Sequence, residues 1–222
     1  MLEKSGYLIA RVAEIPWEER RNVDGWPSRA GMYYNDVDNN LCMRLIHYAE
    51  GLTEPRHVHA GSHAAVLVEG EAHIDGLTLY PLDVILGPSN EPHGPIVYPK
   101  GVYVFSAFQG SYFHHEVGEL GTERHYRLIQ AAKLPWEARG DGLHVKTLID
   151  RGLGRLLLEL SKFDAGAKLE DPKITAAFVV NGTAQIDGEA LHAKDYFYVR
   201  KGSEHVPVTF PETTTLLAVT MR

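Results

Sequence analysis

Four histidines are spaced as ligands to one metal ion would be: His57, His59, His63 and His93. His57 and His59 are two residues apart. In a β-strand, residues i and i+2 share a face, so both imidazoles can be presented side by side. His63 follows a short Ala-Gly-Ser connection and opens an apolar run. His93 comes thirty residues later, within GPSNEPHGP, and a closed barrel is what would return it to the other three. A single strand histidine is usually solvated or satisfied in a core; the combined spacing is what points to a metal. Neutral imidazole suits first-row ions, so Fe, Mn, Ni, Cu and Zn all stay open. Four neutral ligands leave the charge of a divalent ion uncompensated, which favours an anionic companion. A tetrahedral ion would be closed, whereas an octahedral one keeps positions for substrate or O2.

No residue is assigned a catalytic role by spacing alone. Arg44, Arg56 and Tyr98 are candidates to hold an anionic substrate, Arg because its forked donors match a carboxylate. Ala64, Ala65, Val66 and Phe105 are expected to form an apolar wall around the site. His114 and His115 are adjacent, so in a strand they face opposite ways and read as a solvated or interface pair. His47 reads equally as a lining or a surface residue.

The elements that would position these residues are β. Leu41 to Tyr48, Ala64 to Val68, Asp83 to Leu86 and Val102 to Phe108 are short, β-rich runs bounded by Gly and Pro. Asp75-Gly76 is a tight hairpin signal, because Gly accepts positive φ. The set returns further along. His63 to Pro99 aligns without a gap on Thr175 to Pro211, so that VLVEGEAHIDG falls on FVVNGTAQIDG, Asp83 on Asp195 and His93 on His205. Gly51 falls on Gly166 only if the second copy is three residues shorter. Ala13-Glu14-Ile15-Pro16-Trp17-Glu18 likewise returns as Ala132-Lys133-Leu134-Pro135-Trp136-Glu137. The chain therefore divides into 1–120 and 121–222, two copies of one all-β unit. Trp17 and Trp136 are expected to plug the ends of their own barrels, Asp83 and Asp195 to be turn residues, and Pro16 to Glu19 to start one helical turn. The second copy places Thr175 opposite His63 and Leu169-Glu170-Asp171 near the HxH, so only His205 survives and a structural role is expected, covering strand edges and supporting dimerisation.

Bulk properties narrow the partners. The 222 residues carry a net charge of −7 with no basic stripe, which excludes a nucleic-acid footprint. The N-terminal MLEKSGYLIARVAEIPWEERR holds no long apolar run, so neither a signal peptide nor a membrane span is expected. The one cysteine, Cys42, excludes an internal disulfide and reads as a small buried hydrophobe in a cytoplasmic protein. Nine of the twelve histidines fall between residues 47 and 125, which puts the chemistry in the first half.

These motifs resemble the cupins. The first cupin motif runs Gly, five residues, HxH, three or four residues, Glu, six residues, Gly. Gly51, His57-Val58-His59, His63 and Gly70 keep every spacing, with His63 in the Glu place. Of the second motif, Pro88 and His93 match, while Leu82, Asn90 and Val97 stand where Gly, Gly and Asn are common. The resemblance implies two tandem cupin (jelly-roll) barrels, the first binding a divalent transition metal through His57, His59, His63 and His93. With His63 in place of Glu, a carboxylate base is missing from the pattern. Cupins with histidine-only sites include diketone-cleaving dioxygenases, and cupins often form homodimers. The expected activity is thus a metal-dependent dioxygenase acting on a small carbonyl, enol or aromatic substrate. A redox-neutral isomerase, lyase or cyclase and a non-enzymatic metal-bearing sensor or small-molecule binder are the alternatives.

Overall fold

A computed structural model describes residues 1–21, 27–37, 40–87, 92–109, 114–115, 126–150 and 156–221. Among the described residues, apart from a single 3-10 turn, Ala131–Lys133, the elements are antiparallel strands. No helix among the described residues is long and apolar enough to cross a membrane.

By contacts the chain forms two units, Pro16–Lys133 and Met1–Ile15 with Leu134–Arg222. The first unit has a seven-stranded sheet in the order Arg127–Ile129, Val84–Gly87, Ser62–Gly70, Val102–Gln109, Leu41–Tyr48, Pro27–Asp36, Trp17–Arg21. A four-stranded sheet accompanies it: Leu77–Leu79, Ala72–Ile74, Ile96–Tyr98, Leu52–Glu54. Ile46, Leu67, Ile74, Leu79, Ile96 and Val104 form its core. The second unit repeats the plan with eight and four strands. Ile9, Phe163, Val179, Ile186, Phe197 and Leu216 belong to its core.

The two units share details down to the residue. Asp75-Gly76 and Asp187-Gly188 both turn with positive φ at both residues, as a two-residue hairpin requires. The larger sheets carry matching register shifts: one passes over Val68 in the first unit and Val180 in the second, another over Tyr33 and Leu148. Leu82 and Lys194 hold matching left-handed conformations, φ 78 and 72, where the cupin pattern has glycine at Leu82.

The expected cut between 120 and 121 lies outside the described residues. The pairings add something a linear cut does not contain. Strand Tyr7–Ala10 pairs with Tyr196–Val199 of the second unit, and Arg127–Ile129 pairs in the matching way with Val84–Gly87 of the first. Asp83 and Asp195 hold these incoming strands. Asp83 accepts from the Tyr80 amide at 3.0 Å and the Ala131 amide at 2.8 Å. Asp195 accepts from the His192 and Val12 amides, both at 2.9 Å. They are turn residues, as expected, and clasps as well.

Two expectations fail here. Pro16 to Glu19 starts no helical turn, because Trp17–Arg21 pairs as an edge strand with Pro27–Asp36. Neither tryptophan plugs a barrel. Trp17 is partly exposed under the Arg29 guanidinium, 5.3 Å from its ring centroid. Trp136 is exposed beneath Lys146 and Lys162, at 4.9 and 5.2 Å. An indole covered by a cation keeps part of its face near water. Cys42 is buried as expected, with Sγ 3.5 Å from Met32 Sδ.

Candidate metal centre

The four histidines arrive on three segments, His57 and His59 together, and meet inside the first unit, all buried. His57 and His93 exchange backbone hydrogen bonds in both directions at 3.0 Å, which sets their side chains side by side. His59 ends the two-residue strand Val58–His59, paired with His114. His63 lies on Ser62–Gly70 opposite Gly87. That glycine makes the room: a Cβ on it would fall 2.1 Å from the His63 ring.

Ligand atoms of His57, His59 and His93 lie within 4.8 Å of one another. The His63 ring stands beside them, 4.5 Å from that of His59 and 4.9 Å from that of His93 by centroid. It also stacks on Phe108 at 5.0 Å.

The hydrogen bonding settles which nitrogen of His57 faces the centre. Nδ1 lies 2.8 Å from the Pro55 carbonyl, which can only accept, so Nδ1 carries the proton. As a neutral ring, His57 then has its lone pair on Nε2. That atom points at His59 Nε2, 3.2 Å away, and at Glu54 Oε1, also 3.2 Å away. Lone pairs turned toward one another call for a cation between them, and a backbone carbonyl behind an imidazole is how proteins orient metal ligands. The donor set fits a divalent transition metal.

Glu54 is the residue that the spacing missed. It lies at the end of strand Leu52–Glu54, three residues before His57, and is 3% exposed. Its other oxygen accepts from the Tyr98 hydroxyl at 2.5 Å, and the Tyr48 hydroxyl also donates to it. The two tyrosine rings stack at 4.5 Å. Burial pushes the Glu54 carboxyl up to about 7, against the Tyr98 hydrogen bond, the nearby His93 charge and the Tyr48 hydrogen bond, which all favour the anion. Burial and the same carboxylate hold both phenols well above their usual range. The expectation that this centre lacks a carboxylate is thereby corrected.

A cavity of about 30 Å³ adjoins the histidines. Arg44 lines it, buried, with its guanidinium 4.9 Å from the Phe108 ring centroid. Tyr98 lines it too, but its hydroxyl is engaged with Glu54. Arg56 is exposed and lies outside the lining. Of the expected apolar wall only Ala65 faces the cavity. Strand alternation explains the error. His63 sets the phase, so Ala65 and Leu67 follow it inward while Ala64 and Val66 turn to the opposite face. Val104, Ser106 and Phe108 likewise leave Phe105 on the far side. His47 is out of phase with Arg44 and packs on Tyr103 instead, with ring centroids 4.6 Å apart. Pro88 and Asn90 fall outside the described residues, as do the side chains of His114 and His115. Tyr126 was not anticipated: its ring lies 5.9 Å from that of His93, and its hydroxyl donates to Asp75.

A family model described as the ChrR Cupin-like domain matches residues 124–222. Residues 124–222 are thus similar to a cupin-like domain. The matched segment is the copy without the HxH motif. Among solved structures, a dioxygenase candidate from Nostoc punctiforme superposes with a TM-score of 0.80 at 11% identity, over 98% of this chain and 83% of its own. An oxalate decarboxylase variant from Bacillus subtilis gives 0.66 at 13%, over 100% and 78%. A salicylate 1,2-dioxygenase variant from Pseudoaminobacter salicylatoxidans gives 0.60 at 14%, over 82% and 70%. At these identities the likeness is one of fold, and it supports two tandem cupin-like jelly rolls. A search of curated protein sequences gives no match.

Proposed function

We propose that this cupin-like protein is a metal-dependent dioxygenase acting on a small carbonyl, enol or aromatic substrate, with His57, His59, His63 and His93 as the metal ligands. The observation that carries the reading is His57 Nε2 set 3.2 Å from both His59 Nε2 and Glu54 Oε1 beside a buried cavity, with His93 in reach. The fold shared with two proteins named for dioxygenase activity supports it. A bound Fe, Mn, Ni or Cu ion would supply Lewis acidity and O2 chemistry there.

The chain's own residues do the rest. Pro55 locks the His57 tautomer, and Glu54 supplies the negative charge that four imidazoles lack. Arg44 offers donors to an anionic substrate end from within the cavity. Ile46, Leu67, Ile85 and Val104 keep water from it. The cavity admits only the reacting end of a substrate.

Glu54 favours a second reading, a redox-neutral lyase. A buried carboxylate beside the centre can take or return a proton, and the fold is shared with an oxalate decarboxylase. The deciding experiment loads the protein with Fe, Mn, Ni, Cu or Zn and follows O2 uptake with diketones, hydroxy-ketones and aromatic hydroxy acids. O2 uptake is expected. Turnover with Zn under strict anaerobiosis would move the assignment to the lyase, and no turnover with any metal would end both. His93→Ala should strip the metal; a stoichiometric ion in that variant would overturn the ligand set. A homodimer is part of the same proposal, and a monomer in sedimentation would remove it.

A further inference from the structure

The second unit has a cavity at the place where the first holds its histidines. It measures about 490 Å³, against about 30 Å³ in the first. Strand register gives the exchange residue by residue. Ser106 pairs with Arg44 and Ala218 with Glu159, so Glu159 stands where Arg44 does. Ser161 replaces Ile46, and Thr220 replaces Phe108. Thr175 stands where His63 does, and the three residues missing from this copy fall between Leu169 and Thr175, in the HxH segment. Bulk has left the interior without being replaced, which is unlike the close packing of a protein core.

What lines the space is chemically polarised. Leu157, Phe163 and Leu216 give an apolar wall, and Asp171 and Lys173, of opposite charge, also line the space. At one end Glu159, 7% exposed, accepts on Oε1 from Arg139 at 2.8 Å and from Thr147 at 3.1 Å. Its second oxygen takes no hydrogen bond among the described residues. Ser161, also 7% exposed, lies on the same strand two residues on. Arg139 already balances the Glu159 charge, so the free valence here is an acceptor and not a demand for a cation.

We infer that the second unit is a metal-free binding site for a small, mostly apolar, uncharged molecule bearing a hydroxyl group, which donates to Glu159 while its body fills the apolar wall. A volume in this range is that of small-molecule sites in general. The site is independent of the metal centre in the first unit.

The test uses the full-length protein and 1-octanol as probe, with its methyl ether and octanoate beside it, followed by calorimetry and methyl chemical shifts. Octanol should bind and shift the methyls of Leu157 and Leu216. The ether, which cannot donate, should bind at least about tenfold more weakly, since the acceptor is then left unmet. Octanoate, which brings no hydroxyl proton to donate, should also bind more weakly than octanol. Glu159→Gln should remove the preference for octanol over the ether. Ala218→Phe should abolish binding of all three, and His93→Ala should leave octanol binding unchanged. Failure of octanol to bind the wild-type protein, shifts confined to the first unit, or tighter binding of octanoate would overturn the inference.

Discussion

The two units are one fold with two interiors, and what differs between them separates architecture from chemistry. The hairpin at Asp-Gly, the register shift at Val68 and Val180, and the clasps Asp83 and Asp195 appear in both. In the first unit Tyr48 and Tyr98 stack at 4.5 Å and present hydroxyls to Glu54. In the second, Phe163 and Phe210 stack at 4.0 Å in the same place, and strand pairing puts Leu169 where Glu54 stands. The rings are kept and every oxygen is gone. Gly87, which makes room for His63, is Val199 beside Thr175 in the second unit. His57, His59, His63, Glu54, both phenols and Gly87 thus change as one group, while His93 persists as His205. The barrel does not need them, since the same frame closes without them.

The sharpest way to break this comparison is to carry the second interior into the first. The triple variant Glu54→Leu, Tyr48→Phe, Tyr98→Phe should fold, because its apolar set already works in the neighbouring unit, and a buried charge replaced by matched apolar groups is often tolerated. It should bind metal up to about 100-fold more weakly, measured by chelator competition, since the carboxylate facing His57 is lost. Unchanged affinity would reduce Glu54 to a structural role.

Gly87→Val comes next. Its side chain would enter the His63 ring, so that ring must swing away. The expected loss of metal affinity is about tenfold. A variant with full affinity would remove His63 from the ligand set and leave His57, His59 and His93.

Asp83→Ala and Asp195→Ala probe what the units share. Each leaves two amides without an acceptor, at a cost of about 1–3 kcal/mol. Hydrogen exchange should rise in Arg127–Ile129 for the first variant and in Tyr7–Ala10 for the second. Equal exchange everywhere would show that the clasps hold nothing. The smallest effect is Leu82→Gly. A left-handed leucine costs about 1–2 kcal/mol, part of which glycine returns through its freedom in the unfolded chain. A rise in melting temperature of a few degrees is expected, and a fall would mean the Leu82 side chain contributes more by packing than its backbone loses.

Much of this was legible beforehand because it rests on short-range spacing. The strands, the hairpins, the duplication and the meeting of His57, His59 and His93 follow from period two, Asp-Gly turns and a gapless internal alignment. Glu54 was not legible. It sits outside the HxH motif, and nothing in the residues around it says that its carboxylate faces His57 Nε2. Tyr98 was singled out for the right place and the wrong partner. The wall residues Ala64, Val66 and Phe105 failed on phase alone: choosing His63 as the inward reference would have selected Ala65 and Leu67. The second interior was misaligned as well. Opposing Leu169-Glu170-Asp171 to the HxH is replaced by a shortened segment once strand register places Leu169 against Glu54. The two Asp clasps carry non-local contacts, which no local pattern encodes.

The pairing of Tyr7–Ala10 with Tyr196–Val199 has a consequence for how the chain is made. Strands Leu2–Lys4 and Tyr7–Ala10 are made before Pro16–Lys133 yet belong to the unit completed after it. At ordinary elongation rates they wait about 10–40 s for their partners, while Pro16–Lys133 can close beside them. Tyr7–Ala10 must stay without its partner strand for that interval. A nascent chain stalled before residue 196 should therefore present an ordered first unit with a protease-sensitive Tyr7–Ala10 segment, and that segment should become protected only when the strands after residue 196 emerge.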